Sequence, residues 1–206
     1  MKNIGLYIVT DSDILEGRDF YEAIEETLKA GTKIIQLREK NKDGKEFLER
    51  ALKLRVLTRV YNAKLIINDR VDIALLSDAD GVHVGQSDIE PSKVRKLIGK
   101  DKILGVSVRT LNEAIEAKNN SADYLGIGAM FNTTTKEDAK EVSNKELIII
   151  KRSVDLPIVA IGGLKLDNIE KIEPCDGYAV ISSILSKEDI EKESRMWIEK
   201  IKKITA

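Results

Sequence analysis

Two acids organise the chemistry that this 206-residue chain can do. In the stretch LIINDRVDIALLSDADGVHVGQSD, residues 65–88, Asp69 follows one short apolar run and Asp88 follows another. The runs, 65–67 and 82–84, are too short for helices and rich in branched residues. They read as two buried parallel strands joined by a helical segment over 71–76. Ligands of parallel α/β folds bind beyond the carboxyl ends of the strands. Two carboxylates delivered there from adjacent strands can share one hard cation, and Mg²⁺ held together with phosphate oxygens suits them best. The competing reading is that each acid caps the helix after it, a common use of Asp.

A phosphate partner calls for cations and amides, and Gln36-Leu37-Arg38-Glu39-Lys40 supplies them at the end of a strand-like run over 33–38. Alternate residues of a strand share a face, so Gln36, Arg38 and Lys40 are directed to one side. Two cations and an amide suit a diphosphate and a hydrogen-bonding ring. The alternative is that Arg38 pairs with Glu39 or with an acid of a neighbouring strand. Thr133-Thr134-Thr135-Lys136 lies in the longest polar loop, 132–142, and combines hydroxyls, amides and an ammonium into an anion cradle, unless the loop is simply solvated.

Gly162-Gly163 and Ser182-Ser183 follow the last two strand-like runs, where barrel enzymes often hold a phosphate on backbone N–H groups. Glycine lets the phosphate come close, although the pair serves equally well as a turn. His83, the only histidine, sits inside a strand and reads as a packed, hydrogen-bonded side chain rather than a base. Cys175, the only cysteine, has no histidine beside it in sequence and reads as inert packing. Two anion sites result: a dibasic, metal-assisted one near strands two to six, and a backbone-lined one at strands seven and eight.

Elements that can position these residues alternate along the whole chain. Strands are expected at 6–9, 33–38, 65–67, 82–84, 103–107, 123–128, 157–161 and 178–181. Between them run amphipathic stripes such as Phe20, Ala23, Ile24, Thr27 and Leu28, or Phe47, Ala51, Leu54, Thr58 and Tyr61. Leu111, Ala114, Ile115 and Lys118 stripe another helix, and Ile190, Trp197, Ile201 and Ile204 the closing one. Pro91 opens a helix to about residue 98, where Gly99 stops it. Eight such units argue for a single-domain α/β (β/α)₈ barrel. An open doubly wound sheet is the weaker choice, because no G-x-G-x-x-G turn follows the first strand.

The bulk composition narrows the partners. Lys plus Arg number 34 against 35 Asp plus Glu, so no excess of basic charge suggests nucleic acid. A single cysteine excludes an intrachain disulfide and fits a reducing cytoplasm. The start, MKNIGLYIVTD, turns polar too soon for a signal peptide or a membrane span. Small-molecule substrates are the expected partners; a homo-oligomer is compatible with the sequence, which does not set a subunit count.

Taken together, LYIVTD, QLREK, IINDR, DGVHVGQSD, LGVS, GIGAMFNTTTK, VAIGG and VISSI resemble, in order and spacing, the motifs of the thiamine phosphate synthase family. The resemblance covers nearly the whole chain. It implies a (β/α)₈ barrel that joins a hydroxymethylpyrimidine diphosphate to a thiazole phosphate and releases pyrophosphate, which leaves before the thiazole nitrogen attacks. It also implies that Gln36, Arg38, Lys40, Asn68, Ser107 and Lys136 contact the pyrimidine diphosphate, with Leu37 and Glu39 part of the same substrate-binding stretch. Arg38, Lys40, Ser107 and Lys136 would carry catalysis, and Asp69 and Asp88 would hold Mg²⁺. Thr133, Thr134, Thr135, Gly163, Ile181 and Ser182 would hold the thiazole phosphate. Asn132 stands where the family usually has proline. A related thiazole tautomerase would need only the second phosphate site, and a catalytically silent barrel would bind ligand without turnover.

Overall fold

The computed structural model describes residues 4–133 and 140–205. Short branched runs form eight strands and the amphipathic stripes form the helices between them. In chain order these are β1 (Gly5–Val9), α1 (Phe20–Lys29), β2 (Ile34–Leu37), α2 (Gly44–Val60), β3 (Lys64–Asn68) and α3 (Val71–Leu76). There follow β4 (Gly81–Val84), α4 (Pro91–Ile98), β5 (Ile103–Val108), α5 (Leu111–Asn119), β6 (Tyr124–Ile127) and α6 (Asn144–Ser153). The chain closes with β7 (Ile158–Ile161), a 3₁₀ turn (Ile169–Lys171), β8 (Gly177–Val180), α7 (Ser182–Leu185) and α8 (Ile190–Thr205). All strands pair in parallel in sequence order, and β1 pairs with β8, which closes the barrel. Among the described residues no helix is long and apolar enough to cross a membrane.

Strand alternation divides the core in two. One set, including Ile35, Leu37, Leu65, Ile67, Val82 and Val84, packs against the helices. The other, including Tyr7, Ile34, Ile66, Tyr124 and Val159, fills the barrel interior. Helix starts are fixed by side chains that accept orphan amides: Asp19 for α1, Asp43 for α2, Thr110 with Glu113 for α5 and Ser143 for α6. Each such cap contributes on the order of 1 kcal/mol.

One device recurs where the strands begin. Asp80, Asp123 and Asp176, each just before an even strand, accept the backbone N–H of Leu65, Leu104 and Ile158 at 2.8, 2.7 and 2.9 Å. These acids tie neighbouring strand starts together at the face opposite the site, which is where barrels carry their stability.

Two expectations change in detail. β2 stops at Leu37, so Arg38 and Lys40 lie in the loop rather than on the strand. On α5 the buried face is Ala114 and Ala117, and Ile115 is exposed. The small alanines let that helix lie close to the barrel, and the bulkier isoleucine falls on the outer side.

Candidate active site

The carboxyl ends of the strands open onto one cavity of about 500 Å³. Gln36, Arg38, Asn68, Asp69, Asp88, Ser107, Thr133, Gly163, Ile181 and Ser182 all line it. Lys40 lines a smaller hollow beside it, and Arg38 borders both. Thr134, Thr135 and Lys136 lie outside the described residues.

Two side chains of the expected set turn away from the cavity. Leu37 is the last residue of β2 and, one step after Gln36, faces the helices, where it is fully buried. Glu39 is spent on structure: its carboxylate accepts from Arg50 Nη1 at 2.8 Å and from Ser12 Oγ at 2.7 Å. The Arg50 guanidinium in turn lies 4.2 Å over the Phe20 ring, which fixes the loop after β2 to α1 and α2. Arg38 pairs with an acid at the end of the neighbouring strand, Asp11, at 3.5 Å. That separation makes the pair loose.

The acids can now be told apart from helix caps. Helix α3 begins after Arg70 and α4 after Glu90, and neither start has a side-chain cap hydrogen bond. Asp69 Oδ2 instead accepts from Asn68 Nδ2 at 2.6 Å, and Asp88 Oδ2 from Gly85 N at 2.7 Å. Asp69 also holds a left-handed backbone, φ 60°, with its N–H donated to His83 O at 2.8 Å. Asp is among the few non-glycine types that tolerate this region, and Asn62, Asp78 and Ser121 adopt it at turns elsewhere in the barrel. Among the described residues no three His, Cys, Asp or Glu side chains gather into a metal-binding group.

At the other wall, Gly162 and Gly163 have φ of 94° and 63°. A Cβ on Gly162 would fall 2.5 Å from Ala129 Cβ, and one on Gly163 would fall 2.5 Å from Asn132 O and 2.7 Å from Phe131 O. At both positions the missing side chain admits the loop after β6, and Gly163 still lines the cavity. Ser182 and Ser183 open the short α7 at the same wall, and Ser183 Oγ donates to Leu164 O, which ties the loops after β7 and β8 together.

The cavity floor holds residues that pattern reading passed over. Gln36 Nε2 donates to Tyr7 Oη at 2.8 Å, and Tyr7 Oη lies 2.8 Å from Tyr124 Oη. Tyr124 Oη is 2.9 Å from His83 Nδ1, and His83 Nε2 is 2.8 Å from Ser107 Oγ. Burial pushes both phenols well above the ordinary tyrosine range, so they keep their protons. Two further cations, Arg109 and Lys140, also line the cavity. Arg109 was findable, because it stands two residues after Ser107 on the same period-2 face; Lys140 carries no comparable signal. Cys175 is buried, its thiol pushed up to about 12 by burial, as expected of inert packing.

The family model for thiamine monophosphate synthase matches residues 6–184. A thiamine-phosphate synthase of Clostridioides difficile is 59% identical over 202 residues, covering 97% of this chain and 96% of that protein. One of Clostridium tetani is 53% identical over 189 residues, covering 91% of this chain and 90% of that protein. The solved structure of a thiamine phosphate pyrophosphorylase from Pyrococcus furiosus superposes with a TM-score of 0.91 at 37% identity, over 100% of this chain and 98% of that one. Likeness of this order, in sequence and in fold and across nearly the full length of each protein, places the chain as an enzyme of the thiamine monophosphate synthase family.

Proposed function

We propose that this enzyme joins a hydroxymethylpyrimidine diphosphate to a thiazole phosphate, forming thiamine phosphate and pyrophosphate. The observation that carries the proposal is that both walls bound the same cavity. Gln36, Arg38, Asn68, Asp69, Asp88 and Ser107 form one, and Gly163, Ile181, Ser182 and Ser183 the other, around about 500 Å³. That is room for two small phosphorylated molecules to meet. The names of the relatives support the same reading.

The acids suit Mg²⁺: both offer oxygen only, both come from loops after adjacent strands, and neither is used as a cap. Two carboxylates with the rest supplied by phosphate oxygens and water is how Mg²⁺ is commonly held. Asp69 and Asp88 would hold the ion, which when bound neutralises charge building on the departing pyrophosphate. Arg38, which borders the cavity, adds positive charge for the same oxygens, where preorganised cations contribute most, and Lys40 stands in the hollow beside it; the family resemblance gives Lys136 the same part. The amide of Gln36 and the hydroxyl of Ser107 orient the pyrimidine diphosphate.

Val159, Ile161, Ala179 and Ile181 make part of the wall apolar. They keep water from the pyrimidine cation left after pyrophosphate departs, until the thiazole nitrogen attacks its methylene carbon. Backbone groups near Gly163 and Ser182 would hold the thiazole phosphate in line for that attack. No side chain need act as a base, since the attacking nitrogen already carries a lone pair. Incubating the protein with both substrates should yield thiamine phosphate, and omitting either should yield none. Conversion of thiazole phosphate alone to an isomer would replace this reading with the tautomerase one.

A further inference from the structure

The chain Gln36–Tyr7–Tyr124–His83–Ser107 crosses the barrel interior between two substrate-facing side chains, every link 2.8 or 2.9 Å long. Its three middle members have no assigned part in the reaction. The barrel is built to admit it. A Cβ on Gly105 would lie 2.2 Å from Tyr124 Cζ and 2.4 Å from His83 Nδ1, and one on Gly126 would lie 3.0 Å from His83 Cε1. Two glycines on adjacent strands thus open the space that the tyrosine and the imidazole occupy.

Hydrogen-bond counting gives this chain a direction. Each phenol has one proton to donate and is buried, at 1% exposure, so a proton without an acceptor is costly. Tyr7 Oη receives a proton from the Gln36 amide, so its own goes to Tyr124 Oη. Tyr124 must then pass its proton to His83 Nδ1. His83 then has its hydrogen on Nε2, which donates to Ser107 Oγ. Ser107 already accepts there, so its own hydrogen points into the cavity. Turning the amide round, so that its oxygen faces Tyr7, reverses every link and directs the Ser107 hydrogen back to the histidine.

We propose that Tyr7, Tyr124 and His83 are positioning residues: they transmit the orientation of the Gln36 amide to Ser107 and present the serine hydroxyl as a donor to substrate. In this way the group that reads the ring and the group that meets the diphosphate are set together. This rests on the synthase reading only for the identity of the anion that Ser107 meets.

The lone histidine makes the test direct, because one pair of ring-nitrogen signals reports its tautomer in a long-range ¹H–¹⁵N correlation spectrum. Wild type should show hydrogen on Nε2. Gln36→Glu places an acceptor-only group against Tyr7 and should move the hydrogen to Nδ1, three hydrogen bonds away. In Gln36→Glu combined with Tyr124→Phe the shift should disappear. Hydrogen on Nδ1 or on both nitrogens in wild type overturns the proposal, whether or not the variants fold. So does an unchanged tautomer in folded Gln36→Glu. None of these readings needs turnover, so they stand even if no thiamine phosphate forms. With substrates, Tyr124→Phe should lower kcat about tenfold to a hundredfold, the scale of lost supporting contacts, with the KM for thiazole phosphate unchanged. An unchanged kcat contradicts the link to Ser107.

Discussion

A side chain at Gly163 would place its Cβ 2.5 Å from the carbonyl oxygen of Asn132, which brings the loops after β7 and β6 into direct backbone contact at the cavity wall. The contact depends on a positive φ, 63°, and on the missing Cβ together.

Gly163→Ala should therefore act through the neighbouring loop. Left-handed backbone costs a non-glycine residue roughly 1–2 kcal/mol, and the clash adds to it. A folded variant should be less stable by that order and should show a raised KM for thiazole phosphate, because Thr133 moves with the loop. Steady-state kinetics with thermal unfolding checks both; an unchanged midpoint and KM would mean that the close approach is dispensable.

Asp88→Asn and Asp69→Asn keep side-chain size and remove one negative charge. If each acid holds Mg²⁺, the Mg²⁺ concentration for half-maximal rate should rise steeply, and turnover at limiting Mg²⁺ should fall on the order of 10²-fold, about 3 kcal/mol. Rate against Mg²⁺ concentration for the two variants is the check. A wild-type curve from either variant removes that residue from the metal site.

Arg38→Met retains much of the apolar stem but no charge. Arg38 lines the cavity and its pair with Asp11 is 3.5 Å long; if pyrophosphate departs there, the guanidinium would meet it. Loss of one preorganised contact of this kind costs about 10²–10³ in kcat. The fall should exceed any rise in either KM; a change confined to KM would mean that the contact serves ground-state binding only.

Cys175 and Tyr178 set a pH dependence of stability. Burial raises both, from 9.0 and 10.0 respectively, to about 12. A group that keeps its proton in the folded state and loses it more readily when unfolded favours folding below its unfolded value. That stability is therefore fully present below about pH 9 and is lost as pH rises towards 12. Urea midpoints between pH 8 and 11 should fall, and Cys175→Ala should fall less steeply over pH 9–10. Identical slopes for the two proteins would contradict this account of Cys175.

Much of this was legible from spacing alone. Period-2 and helical patterns locate all eight strands, and Asp69 and Asp88 stand out because each lies in the polar cluster that follows a strand. Whether these acids cap the following helices is a matter of geometry, and the starts of α3 and α4, at Arg70 and Glu90 with no side-chain cap, show that they do not. The pairing of Glu39 with Arg50 is not legible in the sequence, because Arg50 lies on the following helix and sequence distance hides such pairs. Tyr7 and Tyr124 were missed for the same reason. They look like ordinary apolar strand residues, and their hydroxyls meet only when the barrel closes and brings positions 117 residues apart together.

The claim that both substrates meet in one cavity and part with pyrophosphate is tested most directly by a coupled pyrophosphate assay on the wild-type protein, run with both substrates, with each alone, and with Mg²⁺ withheld. The account predicts one pyrophosphate per thiamine phosphate formed, no thiamine phosphate from either substrate alone, and strong dependence on Mg²⁺. Absence of pyrophosphate with both substrates and Mg²⁺ present would contradict it.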